Sequence, residues 1–364
     1  MFSIEAKYTS TNGKYIKSVQ KMKVQMVTKL SSGSLKVLSE APLYVKYIGS
    51  TNFKLNVSSQ NTKYGTVSGT SSGTIACNAN VTVTATVKIG FVFAGWKDAD
   101  TDKTLSSSTT YTFTMPAKDL NITATFSFDI TTITKINVLN VYPDIEGSDS
   151  LKSWMDSYGQ GKISVTPVKI TDFNNNPDSY LKSNGSYKYD VLVFGFWDSN
   201  YGKDLSTTAR DATENFIKTG RSVIFGHDTL AMVTYNSNLY HPNFAYLSKY
   251  VNITHTGEWT SNRDSKIKIV KEGIVTQYPY KIGTIDTILT IPVTHNLDQI
   301  ANGDIWVTFN NNVQTGKRNF YFTTYQNRAM IQTGDSSGQA TEDEQKLIAN
   351  FIFYVHSYYL MNNQ

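Results

Sequence analysis

The chain of 364 residues contains one cysteine, Cys77. A single cysteine permits no disulfide within the chain and no cluster of thiolate metal ligands. Because the residues after 133 contain no cysteine at all, thiol-dependent catalysis is excluded for that part of the chain.

Long apolar runs and charged side chains are also scarce. No run approaches the ~18–20 consecutive apolar residues that a membrane-spanning helix needs, and the first residues lack the apolar segment of a signal peptide. Charged residues make up 17% of the sequence, whereas hydrophobic residues make up 40% and aromatic residues 13%. This composition excludes wholesale disorder, and the length predicts two or three domains.

The formal net charge of +5 is concentrated near the N-terminus. Residues 1–50 hold eight lysines and two glutamates, so the rest of the chain is close to neutral. Attraction to acidic polymers would be confined to this segment, although a solvated, lysine-rich β-face accounts for the same pattern. No motif typical of nucleic-acid binding is present, so we expect no specific nucleic-acid partner.

Residues 1–49 alternate between polar and apolar side chains, which predicts β-strands. The strands are predicted at 22–28, 34–38 and 43–48, with a turn at 31–33 between the first two. We interpret residues 1–49 as a basic β-segment that ends an upstream domain. The chain would then be a fragment of a larger exported protein, with the signal peptide and the anchor outside it.

Residues 50–128 combine β-alternation with regularly placed glycines and aromatic residues. The pattern runs through Lys63-Tyr-Gly-Thr-Val-Ser-Gly69, residues 81–87, Gly90-Phe-Val-Phe-Ala-Gly-Trp96, and residues 111–116 and 121–126. This succession resembles the divergent internalin-type B repeat, a small β-grasp-like module of Gram-positive surface proteins. The resemblance implies a spacer or adhesive unit at the cell surface.

Six aromatic residues of this module allow two interpretations. An aromatic cluster can bind sugars, but a small module with few other large side chains needs them for its core. We therefore predict that they form the core: Phe91, Phe93, Trp96, Tyr111, Phe113 and Phe126.

From residue 134 onward the pattern changes to short apolar strands between amphipathic helices. A helix is predicted at 207–219, and a final helix follows the capping box Thr341-Glu-Asp-Glu344. This alternation indicates one α/β domain at 134–364 with a mostly parallel sheet covered on both faces. We predict a linker at 129–133 and strands at 136–141, 190–196, 222–226, 319–325 and 328–333.

This region is similar to the class I glutamine amidotransferase-like group, which has a flavodoxin-like, three-layer α/β fold. The similarity lies in the strand at 189–195, the strand and loop at 220–228, and residues 328–344. More narrowly, the region looks like a clostridial domain of unknown function that occurs in large exported proteins beside B repeats. Amidotransferases need a cysteine nucleophile, so glutamine amidotransfer is excluded here.

In an open parallel sheet, ligands bind beyond the carboxyl ends of the strands. Carboxylates and a histidine that converge there could bind a divalent cation or transfer protons, but polar residues at strand ends also cap turns and helices. We expect His227, Asp228, Asp198 and Asp335 to form one cluster, and we assign no metal, no cofactor and no catalytic residue. The candidate ligand-site residues are Asp144, Trp197, Asp198, Tyr201, His227, Asp228, Asp335 and Ser336.

Two further motifs are better explained as structure than as chemistry. Gly334-Asp-Ser-Ser-Gly338 matches the G-x-S-x-G of a nucleophile elbow, but the next helix begins near Thr341 and contains the last histidine, His356. Residues 172–178 imitate a calcium loop, but Pro177 stands where glycine is required. A long insertion at 230–265, which carries His255, Glu258 and Trp259, is either a lid over the strand ends or a covering loop.

These observations leave two classes of function. We predict a non-catalytic binding or structural module of an extracellular, clostridia-like Gram-positive surface protein. Its partners are unknown, with a cell-wall glycan, a host glycan or a protein as candidates. The alternative is a hydrolase-type enzyme that acts on a glycan or a small polar metabolite through the His227, Asp228, Asp198 and Asp335 cluster.

Overall fold

The computed structural model describes residues 20–45, 52–232, 234–235, 238–239, 241–257, 263–311 and 315–363. The chain divides into two compact units between Ser127 and Phe128. Residues 1–19 and 46–49 of the predicted basic β-segment lie outside the described residues. Within the described ranges, no helix has both the length and the hydropathy required to cross a membrane.

The described part of the basic β-segment is a single antiparallel hairpin. Strands β1 (Gln20–Lys29) and β2 (Leu35–Val45) pair along their lengths, and Gly33 adopts a φ of 87° in the turn, as predicted for residues 31–33. The prediction of a separate strand at 43–48 is wrong for residues 43–45, since these residues continue β2. Pro42 lies within β2, opposite Lys23.

Residues 52–128, where the B repeat is predicted, fold as two small sheets. One sheet has the order β5-β3-β10-β7-β8, in which β3 and β10 are parallel, and the other has the order β4-β6-β9. The strands are β3 (Asn52–Ser59), β4 (Gly65–Gly69), β5 (Gly73–Ala76), β6 (Asn80–Val87), β7 (Phe91–Asp98), β8 (Thr104–Ser106), β9 (Thr110–Thr114) and β10 (Leu120–Phe128).

Alternation of side chains along the strands builds the core of this unit. Val81, Val83 and Ala85 of β6 point inward, while the threonines between them remain more exposed. Of the six predicted core aromatics, Phe91, Trp96 and Phe126 are buried, and the other three are half-buried and pack against the core. The interpretation of these side chains as a structural core therefore agrees with their positions.

The second unit is built on one nine-stranded sheet with the order β12-β11-β15-β16-β25-β24-β23-β20-β21. Its strands are β11 (Ile136–Tyr142), β12 (Ile163–Lys169), β15 (Val191–Phe194), β16 (Ser222–Phe225), β20 (Asp264–Ile269), β21 (Ile288–Thr294), β23 (Asp304–Phe309), β24 (Phe322–Tyr325) and β25 (Arg328–Ile331). Shorter strands of this unit form two-stranded sheets. These are β13 (Lys182–Ser183) with β14 (Ser186–Tyr187), β17 (Thr234–Tyr235) with β18 (Asn238–Leu239), and β19 (Ile253–His255) with β22 (Gln299–Ala301).

Only the first half of this sheet is parallel. Strands β12, β11, β15, β16 and β25 run in the same direction, and β24, β23, β20 and β21 alternate in direction. The prediction of a mostly parallel sheet is therefore wrong for its second half. The tight turn between β24 and β25, where Gln326 has a φ of 58°, reverses the chain and starts the antiparallel extension.

Hydrophobic clusters cover both faces of the sheet. Along β15, Val191 and Val193 join one cluster, whereas Leu192 and Phe194 join the other. The helices are α1 (Leu151–Tyr158), α2 (Ile170–Asn175), α3 (Pro177–Leu181), α4 (Thr207–Lys218), α5 (Pro242–Leu247), α6 (Ile274–Gln277) and α7 (Glu342–Asn363). Side chains of α1, α6 and α7 enter the first cluster, and side chains of α2 to α5 enter the second.

Candidate functional site

Three loops meet at the carboxyl ends of β15, β16 and β25. A Cβ atom at Gly226 would lie 1.8 Å from the carbonyl oxygen of Gly195, and one at Gly334 would lie 2.6 Å from the carbonyl carbon of Phe196. Only glycine permits backbones to approach so closely. The loops that carry Asp198, His227 with Asp228, and Asp335 are therefore held against one another.

His227 lies at the centre of this junction and is fully buried. Its Nδ1 is 3.2 Å from Oγ1 of Thr294, and that hydroxyl donates to the carbonyl oxygen of Gln332 at 2.8 Å. Since a hydroxyl has one proton, Thr294 accepts from His227, so Nδ1 carries a proton. The opposite nitrogen, Nε2, faces the carboxylates of Asp228, Asp198 and Asp335 at 3.2, 3.6 and 3.8 Å.

A second histidine, His295, lies beside His227 and contacts two of the same carboxylates. Its ring meets that of His227 edge to face, with 4.9 Å between ring centroids. Its Nδ1 donates to Oδ2 of Asp335 at 3.3 Å, and its Nε2 lies 3.2 Å from Oδ2 of Asp228. We call Asp198, His227, Asp228, His295 and Asp335 the strand-end cluster.

The cluster is electrostatically coupled. Burial lowers the pKa of His295, but the carboxylates of Asp228 and Asp335 outweigh that effect and raise the pKa to about 10. Burial raises the pKa of Asp228, but the neighbouring imidazoles of His227 and His295 and the hydrogen bonds from His295 and the Leu297 amide outweigh it and leave the pKa lowered. The pKa of Asp335 is also lowered, since its hydrogen bond from His295 and nearby positive charge outweigh its burial. The two carboxylates thus favour a positive charge between them.

Asp198 is the exposed member of the cluster, with 53% of its side chain accessible. It begins a tight turn, Asp198–Gly202, in which Ser199, Asn200 and Tyr201 have φ values of 41°, 48° and 51°. The buried Asn200 side chain holds this turn by donating to the carbonyl oxygen of Lys203 at 2.7 Å. Three successive non-glycine residues with positive φ are strained, a condition that concentrates at functional sites.

The other predicted site residues do not join the cluster through described contacts. Trp197 lies over Gly338 in the next loop, and Tyr201 is 54% exposed. The Ser336 hydroxyl donates to the backbone carbonyl of Val293, so it is engaged in structure and not placed as an elbow nucleophile. No hydrogen bond or ion pair links Asp144 to the cluster in the described part of the chain.

Several residues that support the cluster were not predicted. His295 follows β21, and neither that strand nor its histidine was assigned. Asp228 Oδ1 accepts hydrogen bonds from the backbone amide of Leu297 and from Gln299. The stretch 288–294 alternates in burial and contains Pro292, whereas His227 was predicted from the continuously apolar strand before it. The 230–265 insertion contributes His255, which pairs with Asp298 at 3.3 Å, whereas Glu258 and Trp259 lie outside the described residues.

Residues 337–341, which follow Asp335 in the chain, border a cleft of ≈ 460 Å³. Ser150, Trp154 and Pro292 form one wall, and residues 337–341 form the other. Trp154 is 7% exposed and packs edge to face on Phe196, so this contact fixes the indole that contributes an apolar surface to the cleft. Among the described residues, none with a charged side chain lines the cleft.

Residues 55–129 match the family model of the divergent InlB B-repeat domain. The match confirms the resemblance of this region to the internalin-type B repeat. Domains of this family occur in surface proteins, which indicates a surface-associated module. No curated protein matches the sequence.

Solved structures give only weak similarity. A ThuA-like protein from Bacteroides uniformis is 13% identical and has a TM-score of 0.39, with 60% of this chain and 91% of that chain covered. PurLQS from Thermotoga maritima is 9% identical and has a TM-score of 0.40, with 61% and 99% covered. Similarity at this level assigns no function to this chain.

Proposed function

We propose that this chain belongs to an exported, clostridia-like Gram-positive surface protein and that its α/β unit is a non-catalytic binding module. In this proposal the B repeat is a spacer or adhesive unit, and the second unit has a three-layer, amidotransferase-like fold without the catalytic cysteine. The match of residues 55–129 to a B-repeat family supports the surface setting.

One observation carries the assignment to binding. The two groups best suited to proton transfer, His227 and Asp228, are completely buried, whereas the neighbouring cleft contains neither a nucleophile placed beside a base nor a charged side chain. A general base must come within hydrogen-bond distance of a substrate proton, and a buried group cannot do so. The accessible surface at this edge therefore suits recognition and not reaction.

The cleft indicates the chemistry of the ligand. An apolar indole floor with serine, threonine and glutamine side chains at the walls is a common arrangement for small polar molecules. Because the lining is uncharged, the ligand should be neutral. A neutral saccharide of a cell-wall or host glycan fits both conditions better than a charged peptide.

The test uses the whole chain and a matched pair of variants. Gln339 is exposed at the cleft, so Gln339→Trp should block it. Thr208 is exposed in α4, whose side chains enter the cluster on the face of the sheet opposite to Trp154, so Thr208→Trp is the control. We expect wild type and Thr208→Trp to be retained on insoluble peptidoglycan or a glycan array, and Gln339→Trp to lose at least about tenfold in affinity.

Hydrolysis is the second candidate, and the accessible carboxylate of Asp198 at 3.6 Å from His227 favours it. Release of reducing ends from the bound glycan, abolished by Asp198→Asn, would establish the hydrolase in place of the binding module. Absence of retention on every glycan tested would contradict the binding proposal itself.

A further inference from the structure

The strand-end cluster contains two buried atoms with unmet bonding capacity. Neither Nε2 of His227 nor Oδ2 of Asp228 has a hydrogen-bond partner, although both residues are completely buried. Buried polar atoms without partners are costly and call for an explanation. The two atoms face each other at 3.2 Å, so both point into the same space.

Their surroundings make a proton alone a poor explanation. Because Nδ1 of His227 donates to Thr294, a neutral ring directs the lone pair of Nε2 at three carboxylates. That arrangement is repulsive. A proton on Nε2 would meet no acceptor in hydrogen-bond geometry, whereas a cation between the nitrogen and the carboxylates would satisfy all of them.

Two distances within the cluster match the edge of a tetrahedral coordination polyhedron, and the others are longer. Metal–ligand bonds of about 2.0–2.1 Å to nitrogen and oxygen place tetrahedral ligand atoms roughly 3.3 Å apart. Oδ2 of Asp228 lies 3.2 Å from Nε2 of His227 and 3.2 Å from Nε2 of His295. Ligand atoms of His227, His295 and Asp335 all lie within 4.8 Å of one another.

The partners behind these atoms are those that metal ligands use. Thr294 accepts from Nδ1 of His227, and Asp335 accepts from Nδ1 of His295, which fixes both rings with Nε2 inward. Gln299 and the amide of Leu297 hold Oδ1 of Asp228 and leave Oδ2 for the cluster. Such outer hydrogen bonds orient ligands and raise their basicity.

We propose that the strand-end cluster is a binding site for a divalent transition-metal ion of the Zn²⁺ class, held by His227, His295, Asp228 and Asp335. Two imidazoles with two carboxylates select Zn²⁺ over Mg²⁺ and Ca²⁺, which prefer all-oxygen sites. Asp198, on the exposed side, stands at the entrance from solvent. The site is separate from the cleft, so the proposal does not depend on glycan binding.

The experiment uses the whole chain, stripped with EDTA and titrated with Zn²⁺ by calorimetry. We expect one Zn²⁺ per chain, a rise in Tm on binding, and no competition from excess Ca²⁺ or Mg²⁺. Titration with Co²⁺ should give the visible absorption of tetrahedral Co²⁺, a readout that surface binding does not produce.

Variants decide whether the cluster is the site. Asp335→Asn and His295→Gln should each weaken Zn²⁺ binding at least about tenfold and change the Co²⁺ spectrum. His356→Gln removes a buried histidine from α7, outside the cluster, and should bind as wild type does. Circular dichroism identifies variants that fail to fold, and Asp198→Asn, at the exposed position, then provides a variant expected to fold and to bind more weakly.

The outcomes separate the possibilities. A folded wild-type chain that binds no Zn²⁺, or one whose binding is unchanged in both Asp335→Asn and His295→Gln, would overturn the proposal. Retention on glycan in the presence of EDTA would show that the cleft works without the metal. Loss of retention in Gln339→Trp with normal Zn²⁺ binding would show that the two sites fail separately.

Discussion

Trp96 is the largest completely buried side chain of the B-repeat unit. It packs edge to face with Phe93 at 6.0 Å, and its indole nitrogen donates to the carbonyl oxygen of Thr109 at 3.2 Å. Deleting a buried aromatic of this size leaves a cavity and removes one of the two hydrogen bonds to the Thr109 carbonyl, which also accepts from the Ala85 amide. We therefore expect Trp96→Ala to lower the free energy of unfolding of the repeat by about 3–5 kcal/mol.

Denaturant unfolding of the whole chain checks this value, with Trp96→Phe as the control. The phenylalanine keeps most of the volume and loses the hydrogen bond, so it should cost less than the alanine. We expect the transition of the α/β unit to keep its midpoint in both variants. An alanine variant as stable as wild type would show that Trp96 is not the centre of the core.

Single residues show where sequence analysis succeeded and where it stopped. His227, Asp228, Asp198 and Asp335 could be placed at one edge because each follows a short apolar strand. His295 could not be placed in the same way, since the antiparallel strand before it was not recognised. The end of β21 is held at the strand-end cluster by contacts such as the hydrogen bond from Thr294 to Gln332. These contacts join residues that are distant in sequence, so no local sequence pattern reveals them.

At the scale of elements, α7 is tied to the sheet by a buried carboxyl group. Glu344 forms the predicted capping box, with its Oε2 accepting from the amide of Thr341 at 2.8 Å, and it also contacts Tyr321 and Thr333. Burial outweighs these hydrogen bonds and raises the pKa of Glu344 from 4.5 to about 7. The folded state therefore holds this proton more tightly than the unfolded chain does.

This shift predicts a pH dependence of stability. The contribution of protonated Glu344 is fully present below about pH 4.5 and is lost as the pH rises through about 7. In Glu344→Gln the side-chain amide oxygen can still accept the hydrogen bond from the Thr341 amide, but the side chain does not titrate. We expect the stability of wild type relative to Glu344→Gln to fall by about 2 kcal/mol between pH 5 and pH 8.

Chemical unfolding of both proteins at the two pH values measures this difference, and the comparison cancels the titration of other groups. Parallel stability curves for the two proteins across this range would refute the assignment. If wild type instead became more stable relative to Glu344→Gln as the pH rises, the hydrogen bonds from Thr341, Tyr321 and Thr333 would outweigh burial in setting the pKa of Glu344.

Elements with strong local signals were predicted closely. Helix α4 begins at Thr207 as predicted, because the Ser206 side chain accepts from the amide of Ala209. The strands β20, β21 and β23 were not predicted. Each is only partly buried, and β20 pairs with both β21 and β23 across long loops, so the tertiary fold and not the neighbouring residues sets the pairing.

At the scale of the whole molecule, the segment predicted as a linker between the units is ordered and packed. Residues 130–132 form a turn of 3₁₀-helix, Ile133 is completely buried, and Phe128 and Ile130 pack against the same hydrophobic cluster of the second unit. The short segment that precedes β11 is thus part of the α/β core.

Two truncated chains test this boundary. We expect residues 128–364 to fold alone with one cooperative thermal transition, since this unit has its own hydrophobic clusters on both faces of its sheet. A chain of residues 134–364 lacks Ile133 and should be less stable by about 2–5 kcal/mol, the range for losing a buried isoleucine. Ile133→Ala within 128–364 is the matched control and should account for most of the loss. If 128–364 shows no transition, the units do not fold independently; if 134–364 is equally stable, residues 129–133 act only as a connection.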